Sequence, residues 1–223
     1  MFLTRIFLDP GSRRVRQDVG NPEGLHKTVM RLFPSGVGPE ARKECGVLHR
    51  LDASANGLLM LLIQSRCAPD VAKLYPEYLV EDELGTPGLG ENPSVRNMEA
   101  ERSRIEVGDE FFFRLKANTT RKILTKSSAE GKRSNGKRVP VRGEAAREQW
   151  LRRHAEKAGF RFADVRVTEA QAQGPTGGVR LGGAIFDGVL DVEDAALFRA
   201  ALETGIGPAK AYGFGLLSIR RVQ

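Results

Sequence analysis

The sequence predicts an α+β protein built from two tandem βαββαβ domains. Three observations support this prediction: strand-like segments come in hairpin-spaced pairs in both halves, helix-like segments flank those pairs, and a connector rich in glycine and proline, residues 84–95, lies between the halves. This order is that of the ferredoxin-like (RRM-like) fold. Strand–helix alternation alone would also permit a doubly wound parallel sheet, but the hairpin spacing favours antiparallel sheets. We therefore expect residues 1–94 to form the first domain and residues 95–223 the second.

In the first domain, the apolar alternation of residues 1–8 predicts a strand, and residues 9–20 are predicted to be turn-like. Asn21 and Pro22 suit the N-cap and the first position of a helix. That helix carries an apolar stripe on one face, formed by Leu25, Val29, Leu32 and Phe33. A strand hairpin and a short helix are predicted next, over 46–52, 57–65 and 68–75. The fourth strand is poorly marked, and an extended piece predicted over residues 97–107 could close either sheet.

The second domain repeats this order. Strands are predicted over 110–122, 163–171, 179–192 and 214–222, and helices over 144–158 and 193–204. A basic excursion containing glycine and serine, residues 123–141, lies between the first strand and the first helix. The same βαββαβ order therefore accounts for both halves.

Composition excludes several classes of protein. Hydrophobic residues make up 40% of the 223 residues and charged residues 28%, which is unlike a membrane protein, collagen or a disordered chain. The longest apolar run, residues 57–63, is too short to span a bilayer, and the N-terminus lacks the cleavage site of a signal peptide. Cys45 and Cys67 show no pairing signature, which favours a reducing cytoplasm. These cysteines and three scattered histidines match no metal motif, so no metal or other cofactor is expected.

The net charge of +7 is concentrated in one part of the chain. Residues 1–90 hold 11 basic and 11 acidic residues, whereas residues 91–223 hold 24 basic and 17 acidic residues. Residues 114–161 alone hold 15 basic and 4 acidic residues. A single basic cluster is often only a solvated surface. A concentration of this size favours a polyanionic partner, above all a nucleic acid.

The strongest local motif is the glycine-rich loop, residues 205–215. Glycine lets backbone amides approach a phosphate closely, and Lys210 adds a positive charge. The loop runs from a helix into a strand, which is the reverse of dinucleotide-binding and Walker loops, and it lacks their fingerprints. The alternative is structural, since the same glycines would suit a helix C-cap and a tight turn. The strand after the loop half-matches the base-stacking strand of RNA-recognition motifs, but leucine and isoleucine replace its aromatic residues.

Of the three histidines, His26 is the best catalytic candidate. His49 lies inside an apolar strand and His154 at the edge of an apolar helix stripe, so packing roles are expected for both. His26 lies beside the apolar stripe of the first predicted helix, with Lys27 next to it and Arg31 about one turn further on. An imidazole flanked by cations is suited to proton transfer at a phosphate. The alternative is a histidine at the boundary of the core.

Four blocks of sequence together resemble one known family. The sharpest spans residues 186–223 and includes the glycine-rich loop. The other three are the opening strand, Leu25-His-Lys with Arg31-Leu-Phe-Pro34, and Phe113-Arg-Leu-Lys-Ala-Asn-Thr-Thr-Arg-Lys122 with Gly136-Lys-Arg-Val-Pro-Val141. In this order they closely resemble the CasE family, the CRISPR RNA-processing endoribonucleases of the Cascade complex. The likeness covers nearly the whole chain and is looser over residues 35–105.

This resemblance implies two ferredoxin-like domains and an RNA cleavage that needs no metal ion. In the family, a ribose 2′-hydroxyl attacks the adjacent phosphate and leaves a 2′,3′-cyclic phosphate and a 5′-hydroxyl. The implied substrate is the repeat hairpin of the CRISPR transcript, cut at the 3′ base of its stem, and the protein then stays on the hairpin among other Cascade subunits. The family's histidine on the first helix falls on His26. Glu23 stands where many members have a tyrosine, and it could orient the imidazole, favour the imidazolium, or face solvent at the helix start.

The resulting hypothesis assigns catalysis to the first domain and RNA binding mainly to the second. His26 acts as general base on the 2′-hydroxyl or as acid to the leaving 5′-oxygen, and Lys27, Arg31 or Lys210 neutralises charge on the phosphate. The RNA-binding candidates are basic residues and members of the glycine-rich loop: Arg121, Lys122, Lys137, Arg138, Arg142, Arg152, Arg153, Gly207 and Lys210. The rivals are a non-catalytic tandem RNA-binding module and a metal-dependent nuclease. The expected location is the cytoplasm, with no membrane partner.

Overall fold

Each half of the chain forms its own four-stranded antiparallel sheet. The computed structural model describes residues 1–34, 41–53, 57–80, 90–123, 137–172 and 181–222. The first half contains β1 (Phe2–Leu8), α1 (Arg13–Val19), α2 (Pro22–Met30), α3 (Ala41–Glu44), β2 (Leu48–Ala53), β3 (Leu59–Ser65) and β4 (Ser94–Asn97). Helix α4 (Glu99–Ser103) leads into the second half, so the prediction of an extended piece over residues 97–107 is wrong. That half contains β5 (Glu110–Ala117), β6 (Thr120–Ile123), β7 (Lys137–Pro140), α5 (Glu144–Lys157), β8 (Phe160–Ala172), β9 (Leu181–Val192), α6 (Ala195–Thr204) and β10 (Leu217–Arg221).

The order of the strands identifies the fold. The first sheet has the order β2-β3-β1-β4 and the second the order β10-β5-β9-β8. In both sheets the first and third strands of a βαββαβ unit lie in the middle, which is the ferredoxin-like arrangement. The predicted fold class, two tandem ferredoxin-like domains, is therefore confirmed. In the described part of the first domain, two 3-10 turns, Val71–Lys73 and Pro76–Tyr78, take the place of the second helix.

The first domain places α2 on one face of its sheet. The Asn21 side chain accepts a hydrogen bond from the backbone N–H of Glu23, and Pro22 fills the first helical position, as the sequence predicts. Leu25 and Val29 are buried in a core shared with the sheet. Residues on the other sides of the helix are thereby left to face the second domain or solvent.

Residues 9–20 do not form the turn that the sequence predicts, and this prediction is wrong. They contain α1, whose N-cap Ser12 accepts a hydrogen bond from the N–H of Val15. Four of its seven residues are charged, and Val15 is its one buried residue, so it lacks an apolar stripe. Tertiary contacts hold it instead: the Asp18 carboxylate accepts hydrogen bonds from Thr28 of α2 and from Tyr78.

The remaining differences from the predicted elements are local. The helix predicted over 68–75 is only a short 3-10 turn, and the strand predicted over 110–122 is broken at Asn118 and Thr119. After that break, β6 pairs with β7 as a separate two-stranded hairpin. The basic excursion of the second domain therefore begins and ends in a β-hairpin.

Strand β4 crosses the predicted domain boundary. Its residues pair antiparallel with β1, so that Phe2 lies opposite Asn97 and Arg5 opposite Ser94. The first sheet thus ends at Asn97, and the division predicted between residues 94 and 95 falls inside this strand. Half of the glycine- and proline-rich connector, residues 84–89, lies outside the described residues.

The two cysteines form a disulfide, which corrects the expectation that they are unpaired. Strands β2 and β3 pair antiparallel with Leu48 opposite Gln64, and the same register carried outward sets Cys45 opposite Cys67. Their Cα atoms lie 5.1 Å apart, within the usual range for a disulfide. The cysteines therefore give no support to a reducing compartment.

Buried polar contacts join the two domains. Arg50 of β2 forms an ion pair with Asp52 at 2.7 Å and donates to the backbone carbonyls of Arg114 and Leu216 in the second domain. Gln64 of β3 donates to the carbonyl of Leu202 in α6. These contacts hold β2 and β3 of the first domain against the second domain. Within the described residues, no helix is long and apolar enough to span a membrane.

Candidate active site

His26 lies on α2 at the junction of the two domains. Helix α2 contacts the 3-10 turn Lys210–Tyr212, which is part of the glycine-rich loop of the second domain. The imidazole is partly buried, and its Nδ1 has no hydrogen-bond partner among the described residues. Burial lowers the pKa of His26, the charge of Arg42 lowers it further, and Glu23 only partly opposes them. His26 is therefore neutral near pH 7 and able to accept a proton.

A second imidazole lies beside the first. The rings of His26 and His49 are stacked, with centroids 6.2 Å apart and planes inclined by 22°. His49 is fully buried in β2, and burial is the main reason that its pKa falls to about 3. Both of its ring nitrogens lack a hydrogen-bond partner among the described residues. His49 therefore packs in the core, as expected, and its ring also stacks on that of His26, the candidate catalytic group.

The glycine-rich loop reaches this site because its backbone can turn tightly. Gly205 has φ +74°, and a side chain there would meet the Gly215 carbonyl at 2.8 Å and Leu48 at 2.9 Å. Gly207 has φ +82° and lies against the Trp150 ring, which a side chain would meet at 3.0 Å. Gly205 is also the C-cap of α6, so the glycine-rich loop has the helix-capping role that the sequence offered as an alternative.

Two cations, Arg42 and Lys116, act on the imidazoles, and a third, Lys210, lies on the turn that contacts α2 and β2. Lys210 is half-buried in the loop and donates to the Thr204 carbonyl at 2.5 Å. Lys116 of β5 is mostly buried near the Phe214 ring, and burial lowers the pKa of both lysines. The charges of Lys116 and Arg42 act on His49, and that of Arg42 acts also on Lys210. Cations held together in a poorly hydrated place attract an anion, and a phosphate is the anion suited to such a cluster.

The arrangement combines a proton acceptor with an anion site. A neutral imidazole next to fixed cations can take a proton from a hydroxyl while the cations stabilise negative charge on a neighbouring phosphate. The described residues contain no group of three or more His, Cys, Asp or Glu side chains that could hold a metal ion. The imidazole and the cations that line the site suit acid–base chemistry at a phosphodiester.

Comparison with known proteins identifies the family. The family model described as CRISPR associated protein matches residues 1–221. The chain belongs to this family. The CRISPR-associated endoribonuclease Cse3 of Thermus thermophilus is 28% identical over an alignment of 236 positions, which covers 98% of this chain and 99% of the relative. The Cascade subunit CasE of Escherichia coli is 36% identical over 123 residues, covering 52% of this chain and 60% of that protein.

The fold agrees with a solved structure of an RNA complex. Thermus thermophilus Cse3 bound to an RNA representing a pre-cleavage complex superimposes with a TM-score of 0.77, at 27% identity over 98% of both chains. The resemblance to the CasE family expected from four blocks of sequence is thus confirmed over almost the whole chain.

Glu23 and Lys27 form an ion pair with each other. The Glu23 carboxylate lies 2.8 Å from Lys27 Nζ, one helical turn away, and both side chains are exposed. Each partner shifts the pKa of the other toward the charged form. Of the alternatives left open for Glu23, the structure thus favours the solvent-facing one. Its charge raises the pKa of His26, against the larger lowering by burial and Arg42.

Arg31 lies at the C-terminal end of α2 and is engaged elsewhere. Its guanidinium lies 4.1 Å from the centroid of the Tyr75 ring and donates to the Tyr75 hydroxyl. None of its described contacts is with His26. The structure therefore places the turn that carries Lys210 against α2, with the Lys210 ammonium donating to the Thr204 carbonyl, and it engages Lys27 and Arg31 in other interactions.

The predicted RNA-binding residues of the second domain include an exposed basic hairpin. Arg121, Lys122 and Arg138 are exposed on β6 and β7, and Arg142 is exposed just after β7. Lys122 and Arg138 lie directly opposite each other across the hairpin. Facing like charges weaken a strand pair, so this position suits an anionic ligand. Of Lys137, the structure describes only its place in β7.

Trp150 joins this hairpin to the glycine-rich loop. Its indole N–H donates to the Thr120 carbonyl at 3.1 Å, and its ring packs against Gly207. The same ring stacks on His154 with centroids 3.7 Å apart, and this agrees with the packing role expected for that histidine. The β6–β7 hairpin and the glycine-rich loop thus both contact the buried Trp150 side chain.

Helix α5 holds the last two predicted RNA-binding arginines. Arg152 pairs with Glu148 at 2.5 Å, donates to two backbone carbonyls of β8, and lies over the Phe162 ring. These contacts occupy Arg152 in holding α5 to the sheet. Arg153, next to it, is exposed.

Sequence reasoning missed Arg42, Lys116 and the proximity of His49. Lys116 stands within Phe113-Arg-Leu-Lys-Ala-Asn, a block noted for its resemblance to the family but not as part of a site. His49 carried one usable signal, since a histidine in the middle of an apolar strand needs partners for its ring nitrogens. Arg42 gave no signal, because only the packing of α3 brings its charge near His26.

We predict that substitution of Arg42 by Ala moves the acid limb of the cleavage rate to higher pH. A general base must be neutral, so kcat/KM falls as pH drops through the pKa of His26, which burial and Arg42 hold below its ordinary value. Removing the Arg42 charge raises that pKa partway back, while burial remains. The check is a pH profile of kcat/KM for wild type, Arg42→Ala and the exposed-site control Lys73→Ala. An Arg42→Ala midpoint that stays in place or moves to lower pH would contradict this account.

Proposed function

We propose that the protein is a metal-independent endoribonuclease that cuts CRISPR precursor RNA at the 3′ base of each repeat hairpin. The 2′-hydroxyl attacks the adjacent phosphate, and the products carry a 2′,3′-cyclic phosphate and a 5′-hydroxyl. The protein then remains on the hairpin as a subunit of Cascade. The relatives support this proposal by name: one is a CRISPR-associated endoribonuclease and another a Cascade subunit.

The observation that carries the proposal is the partly buried imidazole of His26 at the domain junction, stacked on His49 and lying near Arg42 and the turn that holds Lys210. His26 acts as general base on the 2′-hydroxyl, because its lowered pKa keeps it unprotonated near pH 7. Lys210, Lys116 and Arg42 supply positive charge where the pentacovalent phosphate becomes more negative. Lys27 and Arg31, paired with Glu23 and Tyr75, are left with supporting roles.

The hairpin of the RNA would lie on the second domain. The major groove of duplex RNA is too deep and narrow for side chains to read bases, so recognition depends mainly on shape and phosphates. The β6–β7 hairpin, with Lys122, Arg138 and Arg121, and the nearby Arg142 and Arg153 supply exposed cations for this purpose. Trp150 sets that hairpin next to the glycine-rich loop, which aligns the base of a bound stem with His26.

The first test is cleavage of RNA that carries the CRISPR repeat of the same genome, in the presence of EDTA. We expect a single cut, and we expect a 2′-deoxy substitution at the cut site to block it, because the nucleophile is then missing. Activity that EDTA abolishes would favour a metal-dependent nuclease. Tight binding with no cut would favour a non-catalytic RNA-binding module. The proposed location is the cytoplasm, since the proposed substrate is a transcript.

The salt dependence of binding tests the role of the basic hairpin. We expect Lys122→Ala/Arg138→Ala to weaken binding of the repeat hairpin and to reduce the slope of log K against log salt by about 0.9 for each phosphate that the protein no longer neutralises. The control is Arg96→Ala/Arg104→Ala, which removes two exposed cations outside the second sheet and the hairpin. Equal slopes for the Lys122→Ala/Arg138→Ala variant and the wild type would contradict a phosphate interaction at this hairpin.

A further inference from the structure

We propose that a second basic surface, on the first domain, binds the single-stranded RNA that extends 3′ of the cut. This surface consists of Arg13 and Arg14 of α1, Arg31 at the end of α2, and Tyr75, and we call it the α1 surface. The inference rests on the proposed function, because it takes the scissile phosphate to lie at His26.

The centre of the α1 surface is a stack of two guanidinium groups on one aromatic ring. The Arg14 guanidinium lies 3.7 Å from the Tyr75 ring centroid and that of Arg31 lies 4.1 Å from it. A hydrogen bond from Arg31 to the Tyr75 hydroxyl fixes the second group further. Both arginines are exposed to solvent. Planar cations held in this way need little further ordering to bind a phosphate or to stack on a base.

The surface carries excess positive charge that its neighbours do not neutralise. Arg14 has one acidic neighbour, Glu77, at 3.5 Å. The one acidic residue of α1, Asp18, accepts hydrogen bonds from Thr28 and Tyr78, and none of the described ion pairs joins it to these arginines. Two like charges on a single ring repel each other, and a polyanion relieves that repulsion. A flexible, sequence-tolerant ligand such as single-stranded RNA fits a combination of cations and a planar stack.

The position of α2 sets which part of the RNA can reach the α1 surface. His26 and Arg31 are five residues apart on the same helix and its C-cap, which is about 7.5 Å along the axis. Helix α2 contacts the second domain through the turn Lys210–Tyr212 and contacts α1 within the first domain. With the stem on the second domain and its 3′ base at His26, as the proposed function has it, we infer that the strand passing through the cut follows α2 onto the first domain. That strand is the 3′ flank.

The experiment compares RNAs that differ only in their flanks. Wild-type protein is titrated with the repeat hairpin ending at the cut site, with the same hairpin extended by about eight nucleotides on the 3′ side, and with one extended equally on the 5′ side, a length within the usual site size for single strands. Each extended RNA carries a 2′-deoxy residue at the cut. We expect the 3′ flank to tighten wild-type binding roughly 5- to 10-fold through two or three phosphate interactions.

The variant Arg13→Gln/Arg14→Gln separates the α1 surface from the hairpin site. We expect it to remove the advantage of the 3′ flank while binding of the hairpin without flanks stays within about twofold, and we expect the salt slope for the 3′-flanked RNA to fall by about 0.7 for each phosphate left without its cation. Arg96→Ala, an exposed cation on β4, is the matched control and keeps the advantage. Arg13→Gln alone, which leaves the Tyr75 stack intact, shows a partial loss in the same direction.

Several results would overturn the proposal. These are a 3′ flank that adds nothing to wild-type binding, a double variant that weakens all three RNAs equally, and a double variant that loses only the contribution of the 5′ flank. The proposed function is tested separately, because a wild-type protein that cuts the repeat RNA in EDTA retains that function whichever of these results is found.

Discussion

Substitution of His26 by Ala is expected to lower the rate of RNA cleavage by about 10²- to 10⁴-fold, the usual contribution of a positioned general base. The imidazole is a proton acceptor that lies at the domain junction, near Arg42 and the turn that carries Lys210, with its pKa lowered and its surface only partly buried. Binding of the repeat hairpin should stay within a few-fold, since the residues proposed to hold it lie on the second domain. Single-turnover cleavage and equilibrium binding measured on the same preparation separate the two effects.

His154→Ala provides a matched control for this prediction. It removes the same type of side chain from α5, where the ring stacks on Trp150 and its Nδ1 lies 2.8 Å from the Trp150 carbonyl oxygen. We expect a loss of stability in this variant and a cleavage rate, measured on the folded fraction, close to that of wild type. Retention of cleavage by the His26→Ala variant would exclude His26 as the base.

Substitution of Arg50 by Ala is expected to destabilise the protein by about 3–5 kcal/mol, the typical cost of breaking a buried ion pair. The side chains of Arg50 and Asp52 are 3% and 6% exposed, and Arg50 also donates to the Arg114 and Leu216 carbonyls across the domain junction. Without Arg50 the Asp52 carboxylate is buried with no cation, and two carbonyls lose their donor. Urea unfolding at constant pH gives the free energy of unfolding for both proteins.

An exposed ion pair in the second domain provides the comparison. Arg166 lies 3.5 Å from Asp187 and its side chain is 74% exposed, so Arg166→Ala should change the free energy of unfolding by less than about 1 kcal/mol. Equal effects of the two substitutions would show that the Arg50 contacts do not hold the domains together. Because β2 carries both Arg50 and His49, we also expect Arg50→Ala to slow cleavage.

Local pattern was enough to predict the elements with a regular apolar face. The helix beginning at Asn21 and Pro22 and the β2–β3 hairpin carry their signals in adjacent residues, so both are found where the sequence predicts them. Helix α1 has no such face, since it is held by the contacts of Asp18 with Thr28 and Tyr78. Tertiary hydrogen bonds of this kind leave no periodic signal in a sequence.

The pairing of Cys45 with Cys67 escaped prediction for a related reason. It follows from the register of a hairpin whose existence the sequence predicts and whose register the sequence does not specify. Register is set by which residues lie opposite each other, and a spacing of two cysteines along the chain does not state it.

The candidate site was only half predictable. His26 and Lys210 carry recognisable contexts, a helix stripe and a glycine-rich loop, and the structure places both at the domain junction. Lys116, His49 and Arg42 come from three other elements in two domains, so their convergence depends on how the domains pack. Lys27 and Arg31 were predicted from proximity along the helix, and their contacts with Glu23 and Tyr75 show that neighbours in sequence need not act on the same group.

The chemical identity of the cut ends tests the central claim most directly. The measurement is mass spectrometry of both fragments after the protein has cut its repeat RNA in EDTA. A 2′,3′-cyclic phosphate on the upstream fragment and a 5′-hydroxyl on the downstream fragment are predicted, because the attacking group is the ribose 2′-hydroxyl activated by His26. A 3′-hydroxyl with a 5′-phosphate would mean that water attacked the phosphate, and would contradict the account.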